Sequence, residues 1–122
     1  MNIVSTLELA TRKCQPCHGG IAPIPRHEAE AMLAKLPGWH LTDDGVLRIR
    51  REWIAKNFRS AMDFFNRVAA LAEDEGHHPD LHLVGYRNVA IELWTHAIEG
   101  LSENDFILAA KIDQLPLQLR AS

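Results

Sequence analysis

The sequence predicts an α+β domain: helix, two strands, helix, two strands, helix, with a four-stranded antiparallel sheet and the helices packed on one face of it. Three observations carry that expectation. Apolar residues recur at helical spacing in three separate stretches. Between them lie two pairs of short alternating segments, joined by Asp43-Asp44-Gly45 and by Gly85-Tyr86-Arg87. A chain of 122 residues holds one core and leaves no room for a second of useful size.

Residues 1–25 read as an N-terminal arm, weakly structured and laid on the domain or partly mobile, and residues 26–122 as the domain itself. The arm holds Cys14-Gln15-Pro16-Cys17-His18-Gly19-Gly20, then Pro23 and Pro25, a density of glycine and proline that breaks regular structure. The first helix follows, with Ala29, Met32, Leu33 and Leu36 on one face, and Pro37-Gly38 stops it. Trp39 to Thr42 is a short strand, and Asp43-Asp44-Gly45 supplies the turn. In the return strand, Val46 to Trp53, Leu47, Ile49 and Trp53 face one way and Arg48, Arg50 and Glu52 the other; Arg51 is the exception on the dry face.

Asn57 can cap the second helix. Its apolar stripe is Phe58, Met62, Phe65, Ala69 and Ala72, with Ala61, Phe64, Val68 and Leu71 beside it. Gly76 suits the position past its last turn. Strands three and four run over about Leu81 to Val84 and Asn88 to Thr95. Ser102 can cap the last helix, with Asp105 in its first turn and Pro116 ending or kinking it. This helix is apolar over more than one face, with Phe106, Ile107 and Ala110 beside Leu108, Ile112, Leu115 and Leu119, which suggests a partner surface and a homodimer or homotetramer.

Composition narrows the function. The chain is 47% hydrophobic and 24% charged, ordinary for a globular protein, with a formal net charge of -3. Its densest basic cluster, Arg48, Arg50 and Arg51, is diluted by Glu52, so nucleic acid is not expected as a partner. No apolar run approaches the roughly 20 residues that a membrane span needs. Met1 to Lys13 lacks a basic segment followed by a long apolar one, so a signal peptide is not expected either. A cytoplasmic location follows as the expectation, with Cys14 and Cys17 as thiols. Cys14-Gln15-Pro16-Cys17-His18 matches the c-type haem attachment pattern. That chemistry requires export, and a zinc pair with His18, a redox couple or an arm without a role are the other readings.

Seven histidines are present, and three stand out by placement. His77 and His78 lie on the connection from helix to strand three, and His96 ends strand four. The start of strand three and the end of strand four share one end of the sheet, because the hairpin joins their other ends. The three rings can therefore meet. Imidazole, with an unperturbed pKa of about 6.5, suits proton transfer near neutrality. Glu73, Asp80 and Asp105 are the carboxylates that could orient the rings or raise their pKa. Three histidines could also hold zinc. Adjacent residues diverge on extended backbone, so proton transfer is the better reading. His18, His27, His40 and His82 lack such company.

Glu73, His77-His78-Pro79, Tyr86, His96 and Asp105 reproduce, interval by interval, the signature of the pterin-4a-carbinolamine dehydratase family, which this chain resembles over roughly residues 26–115. The resemblance implies the helix and strand order derived above. It also implies dehydration of 4a-hydroxytetrahydropterin to the quinonoid dihydropterin in tetrahydrobiopterin recycling, with the pterin as substrate and no metal or redox cofactor. On it, His77 and His96 are assigned to acid and ring contact and His78 to the base. Backbone around Gly76, His77 and His78 and around Trp94, Thr95, His96 and Ala97 would bind the pterin, with Trp39 lining the same pocket. Glu73, Pro79, Tyr86 and Asp105 would support the site. Family members often carry a polar residue where Gly76 stands and an acidic one where Ala97 stands. The alternative is a non-catalytic binding protein on the same fold, a transcriptional dimerisation cofactor or an assembly factor; the complete histidine set favours the enzyme.

Overall fold

A computed structural model describes residues 6–16 and 21–121. Its elements are α1 (Thr6–Thr11), α2 (Arg26–Leu33), β1 (His40–Asp43), β2 (Leu47–Ile54), α3 (Phe58–Glu75), β3 (Asp80–Val84), β4 (Asn88–Leu93), a 3₁₀ turn at His96–Ile98 and α4 (Glu103–Ile112). The four strands form one antiparallel sheet in the order β1-β2-β4-β3. From α2 onward the order is the expected one.

Local chemistry sets the boundaries. Asn57 Oδ1 accepts from the Ser60 N–H at 2.8 Å and opens α3. Gly76, at φ 68°, closes it in the left-handed region. Ser102 and Asp105 form a reciprocal capping box at the start of α4. Gly38, at φ 97°, lies where a side chain is strained, and an added Cβ would stand 2.8 Å from the Arg51 side chain, which would have to shift.

The core lies between one face of the sheet and the helices. Ile49, Val89, Ile91 and Leu93 point inward from β2 and β4 and meet Phe64, Val68, Phe106 and Leu108. Arg51, the charged residue on this dry face, is not bare. Its guanidinium pairs with Asp113 at 2.9 Å, reaches the Pro37 carbonyl and lies 5.0 Å from the Trp53 ring centre. The buried stripe of α3 is rotated from the expected one. Ala61, Phe64, Val68 and Ala72 are buried, whereas Phe58, Met62 and Ala69 are exposed.

The described residues of the N-terminal arm lie on the domain and include a short helix that the sequence reading does not anticipate. Within it, α1 packs on α4, and Leu9 is fully buried in the core. This accounts for the excess apolar surface of α4, where Phe106, Ile107 and Ala110 are all buried. The surplus that suggested a partner is covered from within the chain. Burying one leucine in this way contributes about 1.5–3 kcal/mol. No helix among the described residues is long and apolar enough to cross a membrane.

Candidate active site

The β3–β4 register pairs Asp80 with Glu92 and Val84 with Asn88, so the hairpin tip and the β3 start lie at opposite ends. Gly76, His77 and His78 enter β3 at that second end, and Trp94, Thr95, His96 and Ala97 leave β4 there. All seven line one cleft of about 330 Å³. The three histidines thus share a cleft, as the hairpin argument required.

His77 is the most firmly held. It is mostly buried, and its Nε2 donates to Asp105 Oδ1 at 2.6 Å. Asp105 is fully buried in the first turn of α4, where the helix dipole favours a negative charge. Its other oxygen, Oδ2, accepts from Thr95 Oγ1 and from the Ser102 N–H, each at 2.9 Å. Because Thr95 gives its one hydroxyl proton to Asp105, the 2.7 Å contact between Thr95 and Ser102 is donated by Ser102. A carboxylate with three donors fixes the His77 ring and its tautomer.

His96 is held differently. Its ring stacks on Trp94 with centroids 3.8 Å apart and planes 24° apart. Trp94 is fixed in turn, its Nε1 donating to Asp80 Oδ2 at 2.8 Å and the Arg48 guanidinium lying 4.7 Å from its ring centre. Asp80 therefore orients the tryptophan and not a histidine. His78 is largely exposed, with Glu73 Oε2 3.6 Å from its Nε2, and Glu73 is exposed as well.

Two of the expected residues stand elsewhere. Trp39 does not line the cleft. It is buried in the core, edge-on to Trp53 at 5.9 Å, and its Nε1 donates to both oxygens of Asp113 at 3.0 Å. Burial raises the Asp113 carboxyl above the ordinary range, against the opposing pull of Trp39 and Arg51. Tyr86 sits in the β3–β4 turn, exposed and with φ 57°, at the opposite end of the hairpin from the histidines. Pro79 links His78 to β3.

Two lining residues were not foreseen, Gln15 from the arm and Asn104 from α4. Asn104 carried no such signal in the sequence, since it stands between Glu103 and Asp105 in the polar first turn of α4, where an amide side chain is ordinary. Among the described residues, no three His, Cys, Asp or Glu side chains are grouped so as to hold a metal ion. Cys14 is buried, and burial, with the nearby Glu75 carboxylate, pushes its thiol up to about 12. Cys17 and His18, the rest of the haem-like motif, lie outside the described residues.

Residues 22–115 match the family model described as pterin 4 alpha carbinolamine dehydratase. A relative from Arabidopsis thaliana, named as a mitochondrial pterin-4-alpha-carbinolamine dehydratase 2, is 52% identical over 116 residues, which are 93% of this chain and 62% of that protein. A relative from Rubrobacter xylanophilus, provisionally named as the same dehydratase, is 46% identical over 108 residues, 88% of this chain and 98% of that one. A crystal structure described as a transcriptional coactivator/pterin dehydratase from Brucella melitensis superposes with a TM-score of 0.68 at 32% identity, covering 75% of this chain and 95% of that one.

Proposed function

The chain belongs to the pterin 4 alpha carbinolamine dehydratase family, and from that premise we propose that it dehydrates 4a-hydroxytetrahydropterin to the quinonoid dihydropterin in tetrahydrobiopterin recycling. The observation that carries this reading is the single cleft lined by His77, His78 and His96.

In the proposed reaction, one group gives a proton to the 4a-hydroxyl as its carbon–oxygen bond breaks. A second group takes a proton from the ring nitrogen, and the electron pair of that N–H bond closes the new carbon–nitrogen double bond. Water is the product, and no oxidant, metal or redox cofactor is invoked. His77, tied to buried Asp105, is the fixed contact to the pterin ring. His96, exposed and stacked on Trp94, is the acid. His78, open to solvent beside Glu73, is the base and can pass its proton to water. Gly76, Thr95 and Ala97 contribute backbone to the same wall.

The reading places the reaction in the cytoplasm, and cell fractionation tests that placement against the mitochondrial name of the plant relative. A homodimer or homotetramer is part of the reading, tested by light scattering. The activity test generates the 4a-hydroxypterin and follows its loss. Wild type accelerates dehydration over buffer; a rate equal to buffer refutes the reading.

A further inference from the structure

We propose that the N-terminal arm is a wall of the pterin cleft, with Gln15 as a substrate-binding residue and Asn104 as the residue that positions it. The proposal rests on the reading of the cleft as a pterin site.

Gln15 and Asn104 line the same cleft as the three histidines. The Asn104 side-chain amide spans the Gln15 backbone. The Gln15 N–H donates to Asn104 Oδ1 at 2.8 Å, and Asn104 Nδ2 donates to the Gln15 carbonyl at 2.5 Å. Asn104 is itself buried. The two preceding residues are also tied down. The Cys14 N–H donates to Glu75 Oε1 at 2.9 Å, and Lys13 Nζ donates to the Asp74 carbonyl at 2.8 Å. Three successive residues are thus fastened to the end of α3 and the start of α4. Those are the segments that lead into His77 and that carry Asp105.

The backbone of Gln15 is therefore fixed, while its side chain is exposed and, among the described residues, is held by one long 3.3 Å bond from Nε2 to the Lys13 carbonyl. Its amide is available to a ligand. A pterin presents ring and exocyclic N–H donors beside a carbonyl acceptor. A primary amide offers the reciprocal pair, one acceptor oxygen and an NH₂ donor. Being neutral, it adds binding without altering the charge balance around the histidines. A hydrogen bond made equally in ground and transition states lowers KM and leaves kcat alone.

The test is a double-mutant cycle with the 4a-hydroxypterin as substrate, supported by the Kd of 7,8-dihydrobiopterin read from fluorescence. Gln15→Ala raises KM and Kd about 5- to 20-fold with kcat unchanged, the loss expected for one hydrogen bond. Asn104→Ala raises KM comparably by releasing the arm. In the double variant the two effects do not add, because both remove the same contact. An unchanged KM and Kd in Gln15→Ala overturns the proposal while leaving the dehydratase reading intact; so does full additivity. A wild type that neither accelerates dehydration nor binds 7,8-dihydrobiopterin refutes the dehydratase reading, and the proposal with it.

Discussion

His77 Nε2 lies 2.6 Å from Asp105 Oδ1, and the other oxygen of that buried carboxylate is held by Thr95 and Ser102. The pair joins the loop before β3 to the start of α4, so a cap of a helix is also the anchor of a cleft residue. Asp105→Asn keeps the size of the side chain but puts an NH₂ group among donors. One buried donor then loses its acceptor. The expected result is a stability loss of about 1–3 kcal/mol in urea unfolding. A drop in kcat of about tenfold or more accompanies it, as His77 loses its fixed tautomer. A variant with full stability and full kcat shows that the pair has neither role.

Glu75 gives a pH prediction. Burial alone would raise its carboxyl, but the Cys14 N–H and the Lys111 ammonium, 2.8 Å from Oε2, hold it down at about 2. A carboxyl lowered by folding contributes stability that is present above its unfolded value, 4.5, and is lost as pH falls through about 2. Its share is on the order of 2–3 kcal/mol. Wild type therefore loses stability between pH 4.5 and 2 more steeply than Glu75→Gln, as thermal melts against pH will show. Equal slopes for the two proteins contradict the assignment.

Much of this was legible in the sequence, and the gaps have physical causes. Period-two alternation and glycine turns place the strands, and hairpin geometry then obliges His77, His78 and His96 to share one end. Trp39 joins the cleft only through the family resemblance, which matches positions along the chain and does not say which way an indole points; here it turns to Asp113 and the core. The family signature groups Tyr86 with the histidines, whereas the same hairpin geometry sets it at the tip. α1 was missed because six residues show no helical period, and so short a helix depends on packing against α4. The pairing of Gln15 with Asn104 spans 89 positions, which no local pattern reports.

Trp94 is a built-in reporter. It stacks on His96 in the cleft, while Trp39 and Trp53 pack on each other in the core. Binding of 7,8-dihydrobiopterin is expected to change tryptophan emission in wild type and in Trp39→Phe, and to leave it unchanged in Trp94→Phe. A change that survives in Trp94→Phe and disappears in Trp39→Phe would place the ligand elsewhere.

Cys14 is predicted to be inert in the folded protein, since its thiol is buried and its pKa is raised to about 12. A Cys17→Ser variant isolates it. Ellman's reagent is expected to give no thiol signal under native conditions at pH 8 and one thiol per chain in denaturant. Rapid native labelling contradicts the burial of Cys14.

The central claim is that one cleft carries both proton transfers. The direct measurement is the rate of 4a-hydroxypterin dehydration by wild type, His78→Ala and His96→Ala, each at saturating substrate. Wild type accelerates the reaction, and each substitution lowers kcat by about 10²- to 10⁴-fold, the range for a lost general acid or base. Variants that match wild type would contradict the claim.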